Sequence, residues 1–164
     1  MKVNDRFNAL KILTALMESR KNLSYLMSPQ EISPMTKEIC YGFCRHYFRL
    51  QSIADTLINK RPKDNEVWIV LLIGIYQLQY MNKPDYAVVK ETVSLLGQVK
   101  KSWAKGLVNA VLRNFCRRQD HILEKLAAEP VLSMDSRIGY FNACKKTGQT
   151  IGNSSLKRMI DTHP

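Results

Sequence analysis

The residues of this 164-residue chain able to do chemistry are one oddly placed carboxylate, two groups of cations and a few aromatic rings. Glu91 has Ala87, Val88, Thr92, Leu95 and Leu96 around it at helical spacing, which places it on the apolar side of a helix. A buried carboxylate must be paired or protonated, because an isolated buried charge costs too much. General-acid work would need a second group converging on a pocket, and no such pair is visible in the spacing. The expectation is a structural ion pair with an arginine.

Between Thr92 and Gln119 there is no acidic residue, while Lys100, Lys101, Lys105, Arg113, Arg117 and Arg118 all fall there. On a helical wheel Leu107, Val108, Val111, Leu112 and Phe115 form one side, and Lys105, Asn109, Arg113 and Arg117 project from the other. A basic stripe on a rigid rod is a candidate phosphate-binding face, and it is also what an ordinary solvated face looks like. Arg45, His46 and Arg49 make a second cluster, and Arg6 is a further cation near the start. Tyr76, Tyr80, Tyr86 and Trp103 could stack bases, although helix-spaced aromatics in apolar company are more often core.

Other chemistries find no support. His46, His121 and His163 lack H-x-x-x-H or H-E-x-x-H spacing, and Cys40, Cys44, Cys116 and Cys144 lack the C-x-x-C of a zinc site, so neither a metal nor a catalytic residue is assigned. Four cysteines are also too sparse for a disulfide scaffold and read as reduced thiols. There is no G-x-S-x-G, P-loop or G-x-G-x-x-G among seven glycines.

The elements that must position these residues are helices. Apolar residues at Phe7, Leu10, Leu13 and Leu16 or Met17 predict a helix from about Asp5 to Ser19, capped by Asn4 or Asp5. After a polar loop, Ser33-Pro34 supplies a cap and a first-turn proline for a second helix whose stripe runs from Ile39 to Phe48. A third covers Leu50 to Asn59. The run from Val67 to Met81 is apolar on nearly every face yet too short for a bilayer, so it predicts a central buried helix. Pro84-Asp85 opens a helix to about Leu96, and a long one runs from Ser102, as cap, to Leu126, stopped by Glu129-Pro130. Residues 1–128 thus form one domain. Residues 129–164, with scattered Gly, Asn and Ser, read as a partly helical linker.

Charge selects the partner class. Lys and Arg number 25 against 14 acids, a net +11 that attracts polyanions by counterion release and electrostatic steering. Nucleic acid leads, with a solubility surplus as the bland alternative. The opening Met1-Lys2-Val3-Asn4-Asp5 has no signal-peptide core, so a cytoplasmic location and no membrane partner are expected.

Three segments read in order carry a family resemblance: Tyr41-Gly42-Phe43-Cys44-Arg45; Gly74-Ile75-Tyr76-Gln77-Leu78 with Pro84-Asp85-Tyr86-Ala87-Val88-Val89-Lys90-Glu91-Thr92-Val93; and Lys105-Gly106-Leu107-Val108-Asn109-Ala110-Val111-Leu112-Arg113. Together they resemble the NusB-like family, over roughly residues 5–126. The resemblance implies an all-α bundle of about seven helices, used in antitermination factors to bind RNA and a ribosomal protein. Within it, Arg6-Phe7-Asn8-Ala9 and the ending Leu156 to Pro164 look like the N-terminal domain of the Sun or RsmB type of small-subunit ribosomal RNA cytosine-5 methyltransferase. The arginine cluster with which antitermination factors open is reduced here to Lys2 and Arg6. The Pro-Cys and Thr-Cys motifs and Gly-rich cofactor loop of the methyltransferase are absent, so no cofactor is assigned to this chain and S-adenosylmethionine would belong to a catalytic domain outside it.

The resulting expectation is an RNA-binding module, without catalysis of its own, that contacts RNA, ribosomal RNA by the resemblance, through Arg6, Arg45, Arg49, Lys105, Arg113 and Arg117. Arg113 is the first candidate partner of Glu91 because both lie in the family's motifs, and Arg45 is the second. The rivals are a self-sufficient methyltransferase and an antitermination-type adaptor. Either a methyltransferase domain or a ribosomal protein is the protein partner implied.

Overall fold

The computed structural model describes residues 4–128 except 20, 29 and 30. Within them seven α-helices and one 3-10 turn form an all-α bundle, with no strand. The helices are α1 (Asp5–Glu18), α2 (Leu23–Met27), α3 (Pro34–Arg45), α4 (Tyr47–Leu57), α5 (Asn65–Tyr80), α6 (Asp85–Gln98) and α7 (Lys105–Ala127). The expected linker, with Cys144 and His163, lies outside the described residues.

Local chemistry sets most boundaries. Asn4 caps α1 by accepting from the Phe7 amide at 3.2 Å, and Ser33 caps α3 by accepting from the Thr36 amide at 3.1 Å. Ser33 also donates to Asp5 Oδ1 at 2.5 Å, and Thr36 donates to the Asp5 carbonyl at 3.1 Å. The two helix starts are therefore tied together. Asp64 caps α5 through the amides of Glu66 and Val67.

Burial explains the apolar run. Every residue from Val67 to Leu78 of α5 is buried, because α1, α3, α4, α6 and α7 all pack against it. A helix enclosed on all sides needs no polar face. Two glycines make this enclosure possible. A Cβ on Gly42 of α3 would stand 2.0 Å from Tyr76 Oη, and one on Gly74 of α5 would stand 2.8 Å from both Leu112 methyls.

Three boundaries differ from the expectation. The polar loop contains α2, a single turn capped by Asn22, too short to show an amphipathic period. The second and third helices break at His46 (φ −109°, ψ 17°), so Tyr47 and Phe48 open α4 instead of ending α3. Ser102 makes no side-chain cap; it starts the 3-10 turn Ser102–Ala104, and α7 begins at Lys105.

The α6–α7 corner is closed by its backbone and by Lys101. Lys100 adopts a left-handed φ of 59°, and the Lys101 amide reaches back to the Leu96 carbonyl at 2.7 Å, the geometry of a Schellman motif. The Lys101 ammonium then sits 2.7 Å from Asp64 Oδ1 and 2.9 Å from Glu66 Oε1 at the start of α5. Burial works to lower its pKa, but the two carboxylates outweigh it and raise the value. Lys101 therefore leaves the basic stripe and becomes a clasp.

Candidate nucleic-acid interface

Helices α6 and α7 run antiparallel across a short corner, and their outer faces leave a groove of about 600 Å³ between them. Tyr86, Val89, Lys90 and Val93 form the α6 wall, at the three-and-four spacing of one helix face. Asn109, Arg113, Cys116 and Arg117 form the α7 wall in the same way. The apolar sides of α6 and α7 are committed to the core through Val88, Leu95 and Leu96 and through Val108, Leu112 and Phe115, which turns these polar sides outward.

The groove is positive. Lys90, Arg113 and Arg117 are exposed, and among the described residues none has an ion-pair partner. The one acid lining it is Asp85, at the end where Cys116 lies; burial and then Asp85 push the Cys116 thiol up, keeping it protonated. Three unpaired cations against one carboxylate leave a surplus, and such cations in water favour a polyanion that can release counterions. Tyr86 is 78% exposed, unlike Tyr76 at 5%.

The expected site residues divide. Arg113 and Arg117 are brought together in the groove. Lys105 stays on the same side of α7 but lies beyond the groove, with its ammonium beside Gly97 at the α6 C-terminus, a place where a cation meets the helix dipole. Arg45 is exposed at the end of α3, and Arg49 of α4 is half-buried with its Nε enclosed and without a hydrogen-bond partner. Both flank His46, whose ring stacks on Tyr80 at 4.0 Å. Burial, then Arg45 and Arg49, lower the His46 pKa. This second cluster contributes none of the groove's lining residues.

Arg6 and Glu91 require a correction. The arginine partner of Glu91 is Arg6 of α1, not Arg113 or Arg45, and Glu91 is exposed, with its side chain 53% accessible. Glu91 lies at the edge of the buried side of α6, next to Thr92, where α1 passes; Arg113 faces the opposite flank of α6. Arg6 is the more enclosed member, its side chain 12% accessible, and its Nε also donates to Gln77 Oε1 at 2.5 Å. Gln77 in turn donates to Thr92 Oγ1 at 3.1 Å and to the Ile73 carbonyl at 3.2 Å. Arg6 therefore belongs to an internal seam joining α1, α5 and α6, and it leaves the RNA-contact list.

Tyr86, one of the rings able to stack a base, and Asn109 of the α7 stripe meet in this groove with Lys90, a cation that spacing along a single helix does not connect to that stripe. Tyr86 and Lys90 are four residues apart with no acid spaced to pair across that face, the signal that could have found them. Trp103, 68% exposed, likewise lies outside the core. Among the described residues no helix is long and apolar enough to cross a membrane.

Known proteins place this architecture. The NusB family model matches residues 3–117. The chain is 35% identical to a probable ribosomal RNA small subunit methyltransferase B of Coxiella burnetii, with 74% of this chain and 29% of that protein covered. It is 36% identical to the ribosomal RNA small subunit methyltransferase B of Pseudomonas syringae, with 79% and 31% covered, and 39% identical to that of Vibrio vulnificus, with 74% and 28% covered. The chain spans less than a third of the length of these relatives. A bundle built on an enclosed α5, with glycines where Tyr76 and Leu112 pack close, and a match over residues 3–117 lead to one conclusion: the chain belongs to the NusB family.

Proposed function

We propose that this chain is an RNA-binding module that holds ribosomal RNA for a small-subunit methyltransferase, with the α6–α7 groove as its principal anion contact. The observation that carries the reading is the unpaired trio Lys90, Arg113 and Arg117 around a groove of nucleotide-admitting size. The names of the relatives supply the kind of RNA. Arg45 and Arg49 add charge from a second patch, and Lys105 extends the first. Phosphate contacts of this kind supply position and affinity, while sequence selectivity needs contacts to bases.

Among the described residues no loop offers S-adenosylmethionine a glycine cradle. All four glycines of the described region, Gly42, Gly74, Gly97 and Gly106, stand inside helices, so none forms a Gly-rich loop able to cradle the cofactor. Glu91 is engaged by Arg6. Methyl transfer would belong to a catalytic domain outside this chain.

A salt titration tests the reading. The chain should bind single-stranded RNA with an affinity that falls with log salt at a slope of about 0.7 per phosphate contacted. The double variant Arg113→Ala, Arg117→Ala should lower that slope by about 1.4, similarly for different RNA sequences. An unchanged slope would show the groove to be an ordinary solvated face.

A further inference from the structure

We propose that the α6–α7 groove takes one unpaired nucleotide, its base stacked on Tyr86 and its flanking phosphates held by Lys90, Arg113 and Arg117. This deepens the RNA-binding reading and rests on it.

The argument begins with Tyr86. A tyrosine 78% exposed on the first turn of α6 forgoes the burial that draws Tyr76 into the core, although both lie in apolar-rich helices. Lys21 has its ammonium 5.0 Å from the exposed Tyr25 ring, and Lys11 covers Phe7 in the same way; Tyr86 has no cation over its ring and no ring neighbour among the described residues. Its face is open. It lines the same groove as three cations without acidic partners, two of them, Arg113 and Arg117, one turn apart on the opposite wall.

That combination selects a single-stranded partner. In a duplex each base already has both faces covered by its neighbours, so a side-chain ring can stack only on an unpaired or terminal base. Phosphate-binding cations alone would accept duplex and single strand alike. An aromatic platform beside a cationic track is the arrangement that rewards a splayed strand, and it does so with little dependence on base identity. Val89 and Val93, between Tyr86 and Asn109 along the groove, give the base an apolar floor, and the Asn109 amide can donate to or accept from a base edge. Asp85 sits at the Cys116 end, where its charge disfavours a phosphate. The phosphates are left to Lys90 on the α6 wall and to Arg113 and Arg117 on the α7 wall.

The experiment compares the full chain with Tyr86→Ala and Tyr86→Phe against one RNA sequence presented as a single strand and as a duplex. Tyr86→Ala should weaken single-strand binding about 5- to 150-fold, the equivalent of about 1–3 kcal/mol, with the salt slope unchanged. Tyr86→Phe should bind as the native chain does, and duplex binding should be the same for all three proteins. Ultraviolet crosslinking of a 4-thiouridine-labelled strand should map to the peptide carrying Tyr86. Because Tyr86 is exposed, its truncation leaves the fold intact, which circular dichroism checks. If salt-dependent binding persists but Tyr86→Ala changes neither affinity nor crosslink, the stacking inference falls and the groove is a phosphate site only. If Tyr86→Phe loses as much as Tyr86→Ala, the hydroxyl and not the ring is the contact, and the inference is overturned. If no RNA binds at any salt concentration, the RNA-binding reading fails and this inference with it.

Discussion

Two arginines that both looked like RNA contacts have opposite roles in the molecule. Arg6, in the seam around α5, is enclosed and spends its hydrogen bonds on Glu91 and Gln77; Arg113, in the outer groove, is exposed and has no acidic partner among the described residues. The residue type and the local sequence do not separate them. Reach does, since a guanidinium packed between helices must find its acceptors inside the protein or cost several kcal/mol, whereas one in water can wait for an anion. The interior around α5 is thus built of obligate partnerships, and the groove of open valences. Substitutions in the two regions should differ in what they change.

The largest effect is expected at Gly42. A methyl group there would overlap the Tyr76 hydroxyl and two atoms of its ring, and Tyr76 is itself enclosed. Overpacking of this kind costs about 1–3 kcal/mol and occasionally more, which exceeds the helix-propensity gain of about 1 kcal/mol for alanine over glycine. Urea denaturation of Gly42→Ala should show a net loss of stability; a gain would mean that the ring moves aside freely and the interior is less constrained than described.

Next comes the arginine pair. Arg6→Ala leaves Gln77 Oε1 inside the protein without its donor, at a cost of about 1–3 kcal/mol. It should leave the salt dependence of RNA binding unchanged. Arg113→Ala, removing an exposed side chain, should alter stability by no more than about 0.5 kcal/mol while lowering the salt slope. Denaturation and RNA titration of both variants give a crossed result if the comparison holds, and parallel losses in both assays would dissolve it.

The smallest effect is pH dependence at His46, at the break between α3 and α4, with its ring on Tyr80 and two arginines beside it. Burial first, and then Arg45 and Arg49, hold its pKa below the ordinary value near 6.5. The unfolded chain therefore binds a proton more readily than the folded one. The stability this neutral ring contributes is present above about pH 6.5 and diminishes as pH falls through the unfolded value toward the folded one. Thermal melts of the native chain and His46→Gln between pH 7.5 and 5.5 should diverge, with the variant losing less on acidification. Superimposable pH profiles would show that His46 is solvated like any surface histidine.

The helices were legible because their causes are local. Asn4 and Ser33 cap the amides three residues on, Pro34 presets the first turn of α3, and the continuous run from Val67 to Leu78 can be satisfied only by enclosure. The one-turn α2 was not, since five residues carry too little periodicity to be distinguished from a polar loop. In the site, the α7 stripe of Arg113 and Arg117 was visible from spacing along a single helix. Its opposite wall was not, because Tyr86 and Lys90 become neighbours of that stripe only when α6 folds back at Lys100.

The sequence by itself determined the all-helical class, the central place of α5 and the excess positive charge; it pointed to an arginine partner for Glu91 as well, but from a burial of Glu91 that the structure does not show. Tertiary structure alone decided which arginine that is. Arg6 and Glu91 are 85 residues apart, and the reach of a guanidinium to a carboxylate depends on how α1 crosses α6, a geometry fixed by the packing of both helices on α5. The same packing withdraws Lys101 into its clasp and leaves Lys90, Arg113 and Arg117 outside, because a charge is free to bind a ligand only where the fold has brought no opposite charge within its reach.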